Sequence, residues 1–102
     1  MQTFKAKVIS YLKKVPKGKV VSYGQIAAAA GQPGAARQVG GILRGLSIAD
    51  GQIPWWRVVN NLGIISIKGN WTATKEIQKE LLVKEGIKVM EGFKLNMETY
   101  RY

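Results

Sequence analysis

The chain has no cysteine and no histidine, and these absences narrow its chemistry before anything present is weighed. Without thiolate or imidazole, the usual zinc ligand sets, cysteine nucleophiles and most nucleophile–base pairs are excluded. An active site would have to be built from Lys, Tyr, Ser or carboxylates. Carboxylates are themselves scarce, with 6 Asp+Glu against 16 Lys+Arg and a formal net charge of +10 over 102 residues. No apolar run approaches the roughly 20 residues needed to cross a bilayer, and the segment Met1–Val8 lacks the apolar core of a signal peptide. The expectation is one cytoplasmic, monomeric domain, residues 1–102, with no metal and no cofactor.

The positive charge exceeds what solubility requires, so a polyanion is the expected partner. Lys and Arg bind nucleic acid by displacing counterions from phosphates, and a small basic domain is the usual footprint of such binding. An anionic membrane surface suits the chain less well, because no long basic amphipathic helix is visible.

Phe4, Val8, Tyr11, Leu12 and Val15 recur at helical spacing, predicting a helix over residues 3–15 that stops before Pro16. Lys19-Val20-Val21 reads as a brief strand. Ser22 followed by Gln25 is a capping-box pattern that starts a second helix at Tyr23 and lets it run through four alanines to Gly31. Gln32-Pro33-Gly34 makes a turn, and a third helix spans Ala35 to about Arg44. Two short helices joined by a glycine-containing turn outline a helix-turn-helix. Ala35, Ala36, Gly40 and Gly41 give the third helix almost no bulk, so either another helix or a ligand backbone can approach it closely. Arg37 stands near its amino-terminal end. Val58-Val59 is predicted as a strand, Asn60–Gly63 as a turn, and Ile64–Ile67 as the returning hairpin partner. A last helix runs from about Thr72 to Glu85, and residues 87–102 carry no clear signal.

The densest feature is Ile53-Pro54-Trp55-Trp56-Arg57-Val58-Val59. Two tryptophans between a proline and an arginine can be a core pair, since aromatics dominate small cores. They can equally form an aromatic ledge that receives a nucleobase. The residues alone leave both readings open.

Taken in order, Pro16-Lys17-Gly18-Lys19-Val20, Ser22-Tyr23-Gly24-Gln25-Ile26-Ala27, Ala36-Arg37-Gln38-Val39-Gly40-Gly41, Ile53–Val59 and Glu85-Gly86 resemble the DNA-binding domain of the O6-alkylguanine-DNA alkyltransferases. The resemblance covers about residues 4–90. It implies a mainly α fold with a small β element, a winged-helix-like helix-turn-helix. In those enzymes the central block reads Pro-Cys-His-Arg; here Trp55 and Trp56 stand in place of the alkyl-accepting cysteine and its histidine. Tryptophan at the cysteine position resembles the alkyltransferase-like proteins, which bind alkylated DNA without repairing it.

The resemblance implies a role for each matching residue. Arg37 would be a finger that fills the stack left by a flipped nucleotide, Tyr23 would push on the target phosphate, and Ala35, Ala36 and Gly40 would let the helix enter the minor groove. Pro54, Trp55, Arg57, Val58, Val59 and Lys68 would form the lesion pocket. Trp56 would serve packing, and Glu85 would be a structural acceptor at a helix end. The implied activity is recognition of O6-alkylguanine in double-stranded DNA and its handover to nucleotide-excision repair proteins, with no catalytic residue and no alkyl transfer. Two alternatives stand beside it: a sequence-specific helix-turn-helix regulator, and an alkyl-removing enzyme with an atypical nucleophile.

Overall fold

The computed structural model describes residues 2–46, 51–66 and 74–102. Helix α1, Phe4–Lys13, starts where the Thr3 hydroxyl accepts the Ala6 N–H at 3.1 Å, and it buries Val8 and Leu12. Its last turn tightens, with the Val15 N–H reaching the Leu12 carbonyl at 3.1 Å. It therefore ends two residues short of the predicted span, because Pro16 disfavours helical geometry in the residue before it.

Strand β1, Val21–Ser22, runs directly into helix α2, Tyr23–Ala29. The capping box forms as the sequence predicts: Ser22 Oγ accepts the Gln25 N–H at 3.0 Å, and the Gln25 side chain accepts the Ser22 N–H at 3.4 Å. Gly31, at φ +88°, supplies the left-handed residue that lets the chain leave α2. Helix α3, Ala36–Arg44, then buries Val39 and Leu43 against α2 and α1.

After the first gap in the described residues, Pro54 leads into a single 3₁₀ turn, Trp55–Arg57, and strand β2, Val58–Val59. Strand β2 pairs in parallel with β1, placing Val21 opposite Val58 and Ser22 opposite Val59. The pair divides the core. Val21 and Val58 face a cluster built on α1, α2 and α3, while Val20 and Val59 face a second cluster with Ile65, Leu82, Ile87 and Leu95. Alternation along extended backbone sends neighbouring side chains to opposite faces, so Val20-Val21, at the entry to β1, and Val58-Val59 of β2 together knit both halves.

The hairpin predicted for Ile64–Ile67 does not form among its described residues. Asn60 closes the turn on itself: its Oδ1 accepts the N–H groups of Leu62 (2.9 Å) and Ile64 (3.0 Å), and its own N–H reaches the Ile64 carbonyl at 3.0 Å. Ile64 instead pairs antiparallel with Lys94, and the Ile65 N–H reaches the Phe93 carbonyl at 2.9 Å. Gly63 is obligatory there: its φ is +83°, and a Cβ would collide with the Leu95 carbonyl.

Helix α4, Lys75–Lys84, is capped by Thr74 and buries Gln78 and Leu82. The tail, unassigned from sequence, forms helix α5, Met97–Tyr100. Beyond it, Val20 bonds through its N–H to the Tyr100 carbonyl (2.9 Å) and through its carbonyl to the Tyr102 N–H (2.8 Å). Among the described residues no helix is long and apolar enough to cross a membrane.

Candidate nucleic-acid interface

Helix α3 turns one face to the core and leaves the other open. Val39 and Leu43 are buried, Ala36 and Gly40 are half-buried, and Arg37, Gln38, Gly41 and Arg44 are exposed. Arg37 has no hydrogen bond or ion pair among the described residues. It stands at the rim of a cavity of about 210 Å³ lined by Tyr23, Ala36, Arg37, Gly40, Leu43, Arg44 and Ser66. A second hollow, bounded by the Gln32–Ala35 turn, also has Arg37 on its wall. Among the described residues the guanidinium thus has no internal partner, on a helix surface with few bulky side chains, in a strongly basic chain.

Tyr23 lies at the start of α2, with its ring against α3. A Cβ on Gly40 would lie 3.9 Å from Tyr23 Cε1, an ordinary van der Waals contact. Burial pushes the Tyr23 phenol above its usual value, and a hydrogen bond with Ser66 and the Arg44 charge only partly offset that. The hydroxyl therefore stays protonated at neutral pH, a donor able to bond a phosphate oxygen where a phenolate would repel it.

Ala35 departs from expectation. It was expected on the open surface, but it is only 8% exposed and packs in the first core cluster, because it sits in the turn before α3 and not on the helix's outer face. Arg44 and Ser66, which complete the cavity, were absent from the sequence-based site. Arg44 is seven residues after Arg37, two turns along the same face, and that spacing could have found it. Ser66 carries no local signal.

The Pro54–Val59 segment is held from behind by α4. Glu85 accepts from four groups: Arg57 Nη2 at 2.7 Å, Arg57 Nε at 3.0 Å, Trp56 Nε1 at 2.8 Å and the Gly18 N–H at 3.2 Å. Arg57 Nη1 donates to the Val15 carbonyl at 2.8 Å. Arg57 was expected in the lesion pocket; in the structure its Nε, Nη1 and Nη2 each donate to this internal clamp, so it fixes the turn and the end of α1. Trp56, expected only to pack, has a definite polar partner in Glu85. Gln78, buried on α4, donates through Nε2 to the carbonyls of Trp56 (2.9 Å) and Val58 (2.8 Å); no sequence pattern pointed to it. Pro54, Val58 and Val59 are buried and Trp55 is half-buried. None of these four lines the cavity beside Arg37. Lys68 lies outside the described residues.

Among the described residues no group of three or more His, Cys, Asp or Glu side chains could hold a metal ion. The open features are a basic helix face and a cavity at its edge, which suit a polyanion that inserts a group.

The family model described as the DNA binding domain of 6-O-methylguanine DNA methyltransferase matches residues 3–87. A DNA base-flipping protein of Vibrio parahaemolyticus is 40% identical over 102 residues, covering 100% of this chain and 98% of that protein. Alkyltransferase-like protein 1 of Schizosaccharomyces pombe is 37% identical over 106 residues, covering 100% and 96% respectively. The crystal structure of the S. pombe protein in complex with damaged DNA containing O6-carboxymethylguanine superposes with a TM-score of 0.87 at 36% identity, covering 100% of this chain and 98% of that one. With this match over most of its length and the helix-turn-helix in place, the chain belongs to the DNA-binding-domain family of the 6-O-methylguanine DNA methyltransferases, alongside its alkyltransferase-like members.

Proposed function

We propose that this protein binds O6-alkylguanine in double-stranded DNA, flips the nucleotide, and leaves the alkyl group in place. Arg37 carries the reading: an exposed guanidinium with no partner among the described residues, beside a cavity lined by a protonated tyrosine. Arg37 enters the stack through the minor groove, Tyr23 bonds the displaced phosphate, and Ala36 and Gly40 admit the groove walls, which stand only about 6 Å apart in undistorted B-DNA. Arg44 and Ser66 join them on the path of the extruded base. Trp55 occupies the position of the sacrificial thiol and, with Pro54 and the Val58–Val59 backbone, walls the lesion. Extrusion costs a few kcal/mol, less for a damaged base, which itself favours the lesion. A family member without cysteine or histidine has no ordinary acceptor for the alkyl group. Binding then serves to mark the site for nucleotide-excision repair proteins.

The test is a titration of matched duplexes with and without a labelled O6-methylguanine, following affinity and the label together. Tighter binding of the lesion duplex with all label left on the DNA supports the reading. Equal affinities, or label on the protein, would overturn it.

The glycines of α3 offer a separate check. Among the described residues a Cβ on Gly40 meets nothing closer than 3.9 Å and one on Gly41 nothing closer than 4.0 Å, so their packing requires neither glycine. Gly→Ala at each site is expected to raise stability by about 0.5–1 kcal/mol in denaturant titrations, since glycine is a poor helix residue. DNA affinity should fall at the same time. A gain in stability with unchanged affinity would show that α3 does not enter a groove.

A further inference from the structure

We infer that Trp56 is a positioning residue that fixes the orientation of Trp55 and thereby sets lesion selectivity without touching DNA; this rests on the proposed lesion reading. Three restraints converge on its ring. Its Nε1–H donates to Glu85 Oε2 at 2.8 Å, the Arg57 guanidinium lies 5.4 Å from the ring centroid, and the Trp55 ring meets it edge-to-face at 6.0 Å and 87°. A hydrogen bond to a carboxylate fixes the rotation of the indole in its plane, the cation covers one face, and edge-to-face packing passes the orientation to the neighbour. The backbone is fixed as well, because Gln78 bonds the carbonyls of Trp56 and Val58. Trp55 has no comparable anchor: its indole N–H has no hydrogen bond among the described residues. The Glu85–Arg57 pair already satisfies both carboxylate oxygens, so a tie between α4 and the turn does not need the indole N–H. Orienting the adjacent ring does.

Trp56→Phe keeps an aromatic ring but loses the donor, and Trp56→His restores a donor on a smaller ring. The expected result is a fall of about tenfold in the affinity ratio of O6-methylguanine over unmodified duplex for Trp56→Phe, the scale of one charge-assisted hydrogen bond. Affinity for unmodified DNA and its salt slope should not change, and Trp56→His should recover discrimination. Gln78→Met conserves volume, leaves the Trp56 ring intact and should lower the same ratio, providing an independent variant if Trp56→Phe fails to fold. A DNA-free readout separates this inference from the lesion reading. The chain has three tryptophans, and with Trp71→Phe added to each Trp56 variant, Trp55 becomes the sole tryptophan and the only residue excited at the red edge of the absorption band. Its anisotropy decay should gain a fast component in Trp56→Phe relative to Trp56→His. Equal decays, or a wild-type ratio in either Trp56→Phe or Gln78→Met, would overturn the positioning role. Loss of lesion preference in the wild type would instead overturn the lesion reading, while leaving the decay comparison to judge Trp56.

Discussion

Arg37→Ala is expected to weaken binding to an O6-methylguanine duplex by about ten- to a hundredfold, the 1–3 kcal/mol scale of a specific arginine contact, and to abolish flipping. The fold gives no reason for the effect to come from instability. Arg37 is exposed, its side chain has no partner among the described residues, and alanine is a better helix former at the same site. The melting temperature should therefore stay within a few degrees of wild type while binding collapses. A fluorescent base analogue opposite or beside the lesion reports the extrusion. Wild-type fluorescence on saturation with the variant would remove Arg37 from the finger role, whatever happened to affinity. Arg44 is the natural control: it lines the same cavity two turns away, so Arg44→Ala should lower affinity while leaving the intercalated side chain in place.

Glu85→Ala is expected to produce the largest loss of stability, about 2–4 kcal/mol, because it removes one partner of a largely buried ion pair and strands the other. The Arg57 and Glu85 side chains are only 15% and 8% exposed, and their closest contact is 2.7 Å. Among the described residues the Arg57 charge would keep only the Val15 carbonyl as an internal acceptor. In a domain of this size each kcal/mol lowers the melting temperature by about 4–8 °C. A loss below about 1 kcal/mol in urea titrations would mean that the pair behaves like a solvated surface contact.

The same carboxylate has a pH signature. Burial pushes Glu85 up, but the hydrogen bonds from Arg57, Trp56 and the Gly18 N–H, with the Arg57 charge, outweigh burial and hold it below its ordinary value of 4.5. As pH falls, the unfolded chain takes up the proton first. The contribution is therefore complete above the ordinary value and is lost as pH drops through the folded one. Glu85→Gln should remove that acid limb, which a stability–pH profile would detect.

Much of the secondary structure was legible because its signals are local. The Ser22–Gln25 box and the left-handed Gly31 act within a few residues, and α2 begins and ends where they place it, whereas residue 3, read as helical, is the N-cap of α1. Tyr23 and Arg37 were singled out by their resemblance to a known pattern, and the chemistry excluded by missing cysteine and histidine needed no structure at all.

Tertiary structure decided the rest. Val58–Val59 could have paired with the next segment or with a distant one, and in the fold it pairs in parallel with Val21–Ser22, far earlier in the chain. Arg57 had six acidic residues to choose among. Only the packing of α4 behind the tryptophan turn assigns it to Glu85, brings Gln78 onto two carbonyls, and converts Trp56 from filler into a hydrogen-bond donor. Caps and turns are written in neighbouring residues because their hydrogen bonds span three or four positions. A clamp that joins the ends of two distant helices to one turn exists only once the hydrophobic clusters on either side of the short sheet have brought those ends together.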